Sequence, residues 1–78
     1  MRTTLKLSRV GMNMEEATIV RWYKQPGQSF KAGEPLYEVE TEKVNQEIAA
    51  TADGEMIELC ALEGEIVKVG RTVCVVDV

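Results

Sequence analysis

The chain has 78 residues, 45% of them hydrophobic and 28% charged, a composition that predicts one small globular domain over residues 1–78. Its 13 acidic residues outnumber the 9 basic ones, and the net charge of −4 argues against nucleic acids and anionic membrane surfaces as partners. The apolar runs are too short for a transmembrane helix, and the N-terminal residues lack the continuous apolar segment of a signal peptide.

The order of apolar and polar residues predicts strands along the whole chain and no helix of note. Residues 3–8 alternate in polarity, TIVRWYK and EMIELCAL are rich in β-branched and bulky residues, and residues 44–50 form a further strand. In all, about eight short strands are expected. In the strand over residues 3–8 the side chains of Leu5 and Leu7 are expected to point inward. In the strand over residues 44–50 those of Val44 and Ile48 are expected to do so.

The sequence contains an internal repeat: residues 17–41 and 54–78 are two copies of one unit, offset by 37 residues. Gly27 aligns with Gly64 and Gly33 with Gly70, so each copy reads as strand, glycine turn, short strand, glycine turn and strand. Glycine suits turns because it adopts positive φ without steric cost. The glycines predicted to make structural turns are Gly27, Gly33, Gly54, Gly64 and Gly70.

Two such copies packed face to face bury the apolar surface that neither could bury alone. The fold class is therefore predicted to be all-β, a flattened eight-stranded hybrid of sandwich and barrel with two four-stranded halves related by a pseudo-two-fold axis. The residues expected in its core are Leu5, Leu7, Ile19, Val20, Trp22, Phe30, Leu36, Val39, Ile48, Ile57, Leu59, Val67, Val73 and Val76.

Lys43 occupies the joint between the two copies. The segment LYEVETEKVNQEI reads as strand, polar break and strand, and residues 41–44 can make a tight turn with negative φ at Glu42 and Lys43, such as type I. The pseudo-two-fold relates this joint to the chain termini, so Lys43 is predicted to project from the opposite end of the molecule. An isolated lysine in a turn is usually only solvated. The repeat and the flanking acidic residues Glu40, Glu42 and Glu47 single this one out.

The sequence GMNMEEATIVRWYKQPGQSFKAGEPLYEVETEKV, followed by ADGEMIELCALEGEIVKVG, resembles the lipoyl domains of the biotinyl/lipoyl carrier family over nearly the whole chain. The run Glu40-Thr41-Glu42-Lys43-Val44 matches the family's E-T-D-K-A tip, with Glu42 for the commoner aspartate. Ala17 also stands where the family often has glycine. Biotinyl domains of the same fold carry Met-Lys-Met at the tip, so the flanking Glu42 and Val44 favour lipoyl over biotinyl.

The resemblance implies that lipoic acid is attached as an amide to Lys43 and that Glu40, Thr41, Glu42 and Val44 form the tip that partners recognise. It also implies a swinging-arm carrier within a 2-oxo acid dehydrogenase complex of the pyruvate or acetoin class. The implied partners are a lipoate-attaching enzyme, a thiamine-diphosphate dehydrogenase component, a dihydrolipoamide acyltransferase core and dihydrolipoamide dehydrogenase. Two alternatives stay open: a biotinyl carrier domain of a carboxylase, and an unmodified scaffold domain of this fold.

Catalysis by the domain itself is not expected, and no catalytic or metal-binding residue is assigned. The chain has no histidine, which removes Ser-His and Cys-His pairs and histidine metal ligands, and its glycines form no phosphate-binding motif. Cys60 and Cys74 lie in apolar strand-like runs and are predicted to be buried free thiols in a reducing compartment. We therefore expect a cytoplasmic domain, or a mitochondrial-matrix one in a eukaryote, that is monomeric in isolation.

Two hypotheses concern partner choice. The loop of residues 8–16 is expected near Lys43 and could help the dehydrogenase component select its own carrier, although Met12 and Met14 within it are as readily packing residues. The acidic residues Glu40, Glu42 and Glu47 would attract a basic rim and so raise the encounter rate more than the affinity.

Overall fold

The computed structural model of the protein describes residues 1–8 and 14–78. Within these residues every regular element is a β-strand, and none of them forms a helix long and apolar enough to cross a membrane. The strands are β1 (Arg2–Lys6), β2 (Glu16–Trp22), β3 (Ser29–Phe30), β4 (Pro35–Glu40), β5 (Asn45–Ala49), β6 (Gly54–Leu59), β7 (Ile66–Lys68) and β8 (Thr72–Asp77).

The strands form two four-stranded antiparallel sheets. One sheet has the order β1-β8-β6-β3 and the other has the order β5-β4-β2-β7. Each sheet therefore takes strands from both copies of the repeat, because β3 and β7 each pair with a strand of the other copy. The all-β prediction of two four-stranded halves is confirmed. We call the second sheet the Lys43 sheet, because its strands β4 and β5 flank that residue.

The two sheets correspond strand by strand. The strand β4 and the strand β8 are offset by 37 residues, and the edge strands β5 and β1 are offset by 43. Even the hydrogen bonds beyond the strands match: the Thr41 N–H donates to the Val44 carbonyl at 2.8 Å, and the Val78 N–H donates to the Met1 carbonyl at 2.9 Å. The chain ends thus occupy the place in one sheet that the Lys43 turn occupies in the other.

Most of the predicted core is confirmed. The predicted residues that are buried are Leu7, Ile19, Trp22, Phe30, Leu36, Val39, Val67, Val73 and Val76. Leu5, Ile48 and Leu59 are partly buried and pack against this cluster. Buried residues that the sequence pattern did not identify are Met14, Ala17, Tyr37, Ala50, Met56 and Ala61.

The prediction was wrong for Val20 and Ile57, which are only half-buried. In β2, Ile19 pairs with Val39 and Arg21 with the next residue, Glu38, so Val20 has no partner of its own in β4. A β-bulge of this kind leaves one residue out of the alternation. The bulge between Met56 and Glu58 in β6 does the same to Ile57, at the repeat-related position.

Val44 was also wrongly predicted to point inward. Its side chain is 52% exposed because the residue lies in the turn before β5, where inward and outward no longer alternate.

Four glycines have the backbone conformation that the turns require. Gly27, Gly33, Gly64 and Gly70 have φ between 88° and 93°, a region that side chains disfavour. Gly54 differs from the prediction, because it begins β6 instead of lying in a turn. A Cβ built on Gly54 would lie 2.5 Å from the Asp77 carbonyl oxygen and 3.0 Å from Cζ of Phe30, so close packing requires glycine there.

Both cysteines are free thiols, as predicted. Cys74 is fully buried on β8, and burial raises the pKa of its thiol to about 12. Cys60, predicted to be buried, is only half-buried because it lies just after β6, where its N–H donates to the Val73 carbonyl at 2.8 Å.

Acid is expected to weaken the turn before β7. The carboxylate of Glu65 accepts a hydrogen bond from the Leu62 N–H at 3.0 Å and pairs with Arg71 at 2.7 Å, and both contacts lower its pKa from the ordinary 4.5. A lowered folded-state pKa gives stability that is complete above the unfolded-state value and is lost as the pH falls through the folded one. Urea unfolding of Glu65→Gln should therefore depend less on pH between about 5 and 3 than the parent. Glu58→Gln, which removes the same charge from an exposed strand position, is the control; an equal flattening would contradict the assignment.

Candidate functional site

Lys43 lies at the tip of a hairpin made by β4 and β5. The last pair of the ladder joins Glu40 to Asn45, and the Thr41 N–H donates to the Val44 carbonyl at 2.8 Å. The loop proper is therefore Glu42 and Lys43. Neither residue has a positive φ, as predicted for this turn. We call residues 40–45 the Lys43 hairpin.

The hydroxyl of Thr41 closes this turn. Its Oγ1 accepts hydrogen bonds from the N–H of Lys43 at 3.3 Å and from the N–H of Val44 at 3.2 Å, and it donates to the Val44 carbonyl at 3.0 Å. In a hydrogen-bonded β-turn the Val44 N–H would bond to the carbonyl of residue 41. Here a side chain replaces that bond.

The side chains of the tip face solvent. Glu40, Glu42 and Lys43 are exposed, and the adjoining Val44 adds an apolar group that is 52% exposed. An exposed primary amine on a short turn is accessible to an enzyme from several directions. This arrangement suits a lysine that is modified by an external catalyst rather than one that performs catalysis itself.

Glu47, which the sequence grouped with the tip, lies lower on the hairpin. It pairs with Glu38 across the β4–β5 ladder, on the outer face of the Lys43 sheet. The Tyr23 hydroxyl donates to Glu47 at 2.9 Å and lies 3.3 Å from Glu38. The hydrogen bond to Glu47 and the negative charges of both carboxylates raise the pKa of Tyr23 to about 12. Tyr23 therefore keeps its proton, and stays a hydrogen-bond donor, to a higher pH than a free tyrosine does.

Glu38 is the centre of this outer-face cluster. Its carboxylate also accepts a hydrogen bond from Nδ2 of Asn45 at 3.1 Å and lies 3.4 Å from Nε of Arg21. The cluster thus links β2 to β4 and β5, the two strands that lead into and out of the Lys43 hairpin. The repeat-related positions of the other sheet hold Thr4, Glu58, Cys60 and Val75 in place of Glu47, Arg21, Tyr23 and Glu38, so that sheet cannot form the same bonds.

The chain ends lie away from Lys43. Residues 50–53 leave β5 at its end remote from the hairpin, where the Ala50 N–H donates to the Glu34 carbonyl at 2.8 Å. They lead into Gly54, which packs directly against Asp77 and Val78. Val78 in turn is hydrogen-bonded to Met1. The predicted placement of Lys43 opposite the termini follows from this path.

The sequence reasoning missed the outer-face cluster. A two-residue loop at 42–43 already implies that residue 38 faces residue 47, so this pair could have been found from the hairpin alone. Tyr23 could not, because the bulge at Val20 sets its position relative to β4. Of the loop 8–16, Met14 is buried and so has a packing role, whereas Met12 lies outside the described residues.

The family model and the sequence relatives that match this chain all contain biotin or lipoyl domains. The family model described as Biotin-requiring enzyme, for biotin and lipoyl domains, matches residues 3–76. The dihydrolipoyllysine-residue acetyltransferase component of the pyruvate dehydrogenase complex of Acholeplasma laidlawii is 39% identical over 71 residues, 91% of this chain and 13% of that protein. The succinyltransferase component of the 2-oxoglutarate dehydrogenase complex of Staphylococcus saprophyticus is 40% identical over 72 residues, 92% of this chain and 17% of that protein. The chain therefore spans only a small part of these relatives.

Solved structures with the same fold include the lipoyl domain of the 2-oxoglutarate dehydrogenase complex of Azotobacter vinelandii. It is 28% identical, with a TM-score of 0.74 over 92% of this chain and 94% of that domain. A single-chain, multi-domain long-chain acyl-CoA carboxylase gives a TM-score of 0.81 at 20% identity, covering 97% of this chain and 7% of that protein. At that identity the likeness shows the fold alone.

Proposed function

Since this chain belongs to the biotinyl/lipoyl carrier family, we propose that it is a lipoyl carrier domain with lipoic acid attached as an amide to Nζ of Lys43. The observation that carries the proposal is the exposed Lys43 at the tip of a two-residue hairpin, whose backbone is held by hydrogen bonds and whose sheet is anchored by a buried core. A covalent arm needs a fixed base and a free end, and this hairpin supplies both.

The hairpin's contribution to attachment is presentation. The Lys43 amine loses a proton and attacks the carbonyl carbon of an activated lipoyl donor, the amide bond forms, and the activating group leaves with the attaching enzyme. The product is uncharged and extends from the tip into solvent. Because the tip is tethered to the domain, the arm reaches a high effective concentration at each active site that the domain visits. The bound group supplies acyl-transfer and redox chemistry, and the domain supplies position.

The neighbours of Lys43 support lipoyl over biotinyl loading. Glu42 and Val44 occupy the two positions where biotinyl domains have methionine. The names of the two relatives described above include dihydrolipoyllysine, the reduced form of a lipoyl-lysine. The likeness to the carboxylase is one of fold and does not favour biotin. The unmodified-scaffold alternative is disfavoured by the lysine, which is present and exposed.

The wider assignment is drawn from the relatives. We propose that the domain is not itself catalytic and acts within a dihydrolipoamide acyltransferase. Its partners would be a lipoate-attaching enzyme, a thiamine-diphosphate dehydrogenase component, an acyltransferase core and dihydrolipoamide dehydrogenase, in the cytoplasm or the mitochondrial matrix. The relatives named serve both pyruvate and 2-oxoglutarate complexes, so neither of these is singled out, and the pyruvate or acetoin class stays a proposal.

Intact-mass spectrometry tests the loading. Incubation with a lipoate ligase, lipoate and ATP is expected to add one lipoyl group, and incubation with a biotin ligase, biotin and ATP is expected to add nothing. Lys43→Arg should abolish the lipoyl gain because arginine keeps the charge but not the acylable amine. Lys68→Arg, an exposed lysine on the same sheet, should load as the parent does.

Each other outcome is decisive. A mass gain matching biotin that Lys43→Arg abolishes would show that biotin, and not lipoic acid, is the cofactor. A lipoyl mass gain that persists in Lys43→Arg would show that another residue is the attachment site. A folded parent that gains neither group would make the domain an unmodified scaffold.

A further inference from the structure

The loop of the Lys43 hairpin has an unfavourable sequence for its length. Two-residue hairpin loops favour turns with positive φ, usually built with Asn-Gly, because those turns match the twist of the flanking strands. Glu42 and Lys43 have neither the residue types nor the φ values of such turns. Something else has to hold the loop in one conformation.

The Thr41 hydroxyl supplies what the loop lacks. It accepts from two successive N–H groups, those of Lys43 and Val44, and donates to the Val44 carbonyl. These bonds span the whole loop and fix the peptide that carries the Lys43 side chain. Thr41 itself is half-buried directly after β4, where the bond from its N–H to the Val44 carbonyl restrains it.

The pseudo-symmetry offers an internal comparison. Val78 occupies the position of Thr41 in the other sheet, and its N–H makes the equivalent bond to Met1. The chain does not turn there, and the residue has no hydroxyl. The backbone bond at the base is thus common to both sheets, while the hydroxyl bonds belong to the turn that carries Lys43.

We propose that Thr41 is a positioning residue for acylation of Lys43: its hydroxyl holds the two-residue loop in the one conformation that the lipoate-attaching enzyme accepts. The inference rests on the proposed loading of Lys43 and assigns Thr41 a role different from direct contact with a partner. A looser loop would spend part of its time in other conformations. The apparent affinity of the attaching enzyme for the domain would then fall in proportion to the fraction of domains whose loop is in the accepted conformation.

The test compares Thr41→Val, which keeps the β-branched shape without the hydroxyl, with Thr41→Ser, which keeps the hydroxyl. Steady-state loading by a lipoate ligase should show KM for the Thr41→Val domain raised about three- to tenfold with kcat little changed, as expected for loss of a modest hydrogen-bond network. Thr41→Ser should remain near the parent. Thr4→Val, at an exposed position on the other sheet, is the control for hydroxyl loss.

Hydrogen exchange on the unloaded domain separates positioning from contact. In Thr41→Val the amides of Lys43 and Val44 should exchange faster, while those of Val39 and Ile48 within the strands stay protected. Slower loading with unchanged exchange at residues 43 and 44 would overturn the proposal in favour of direct contact with the ligase. Parent-like loading of Thr41→Val, or a defect in Thr41→Ser as large as in Thr41→Val, would also overturn it.

The two proposals fail in distinguishable ways. If the parent domain accepts no lipoyl group, the proposed function is wrong, and so is the role of Thr41 in that reaction. Hydrogen exchange of the Lys43 and Val44 amides still shows in that case whether the hydroxyl orders the loop. If the parent loads and Thr41→Val loads equally well, the carrier function stands and only the role of Thr41 is lost.

Discussion

Replacing Gly54 with alanine is expected to lower the free energy of unfolding by about 2–3 kcal/mol, the cost of forcing extra volume into packed structure. The added Cβ would lie 2.5 Å from the Asp77 carbonyl oxygen, 2.7 Å from Cγ1 of Val78 and 3.0 Å from Cζ of Phe30. The nearest of these is backbone, which cannot rotate away. The strands β6 and β8 would have to separate where they meet. Urea or thermal unfolding of the unloaded domain measures the loss.

Gly70→Ala is the matched control, because it places the same methyl where nothing lies within 4 Å. Its φ of 93° makes alanine strained, at a cost of about 1 kcal/mol. Gly54→Ala should therefore be clearly the less stable of the two. Equal losses would mean that backbone strain, and not the close approach of β8, is what requires glycine at position 54.

Met56→Ala is expected to destabilise the domain by about 3 kcal/mol, within the usual range for emptying a buried site. Met56 is fully buried on β6, and two bonds tie its main chain to the turn at residues 27–28: its N–H donates to the Gln28 carbonyl and its carbonyl accepts from the Gly27 N–H, each at 2.8 Å. These bonds keep the surrounding chain from collapsing into the cavity. Denaturant unfolding should show a lower midpoint at an unchanged slope.

Ile57→Ala provides the contrast. Ile57 follows Met56 directly, and the sequence pattern predicted Ile57 as the core residue. The bulge instead leaves Ile57 half-buried. Its truncation should cost about 1 kcal/mol or less. If Ile57→Ala proved as damaging as Met56→Ala, the bulge would be misplaced and the alternation predicted from the sequence would be right.

The candidate site was predictable from the sequence because its main features are local. A lysine between two strand-like segments, with a short polar break, lies at a hairpin tip whatever the rest of the chain does. The turn conformation at Glu42 and Lys43 followed from their side-chain types, since neither is a residue that favours positive φ. The exposure of Val44 was not predicted, because the sequence pattern placed the start of β5 at residue 44 instead of residue 45.

The roles of side chains around the tip depend on distant strands and were not predictable. Tyr23 reaches Glu38 and Glu47 only because β2 lies beside β4 with a one-residue shift at Val20. The bonding of Thr41 to the loop likewise depends on atomic positions within the turn. Nothing in the spacing of these residues reveals either arrangement.

The all-β class, the repeat and the placement of Lys43 at the joint of its copies were predictable from residue order, because alternation, turn glycines and self-similarity are properties of that order. Three other features depend on the folded chain: which strand of each copy crosses into the other sheet, where β2 and β6 bulge, and why position 54 must be glycine. Those features arise where two strands distant in sequence come into contact. A bulge shifts every later residue of its strand to the opposite phase, and a close approach excludes a single methyl group.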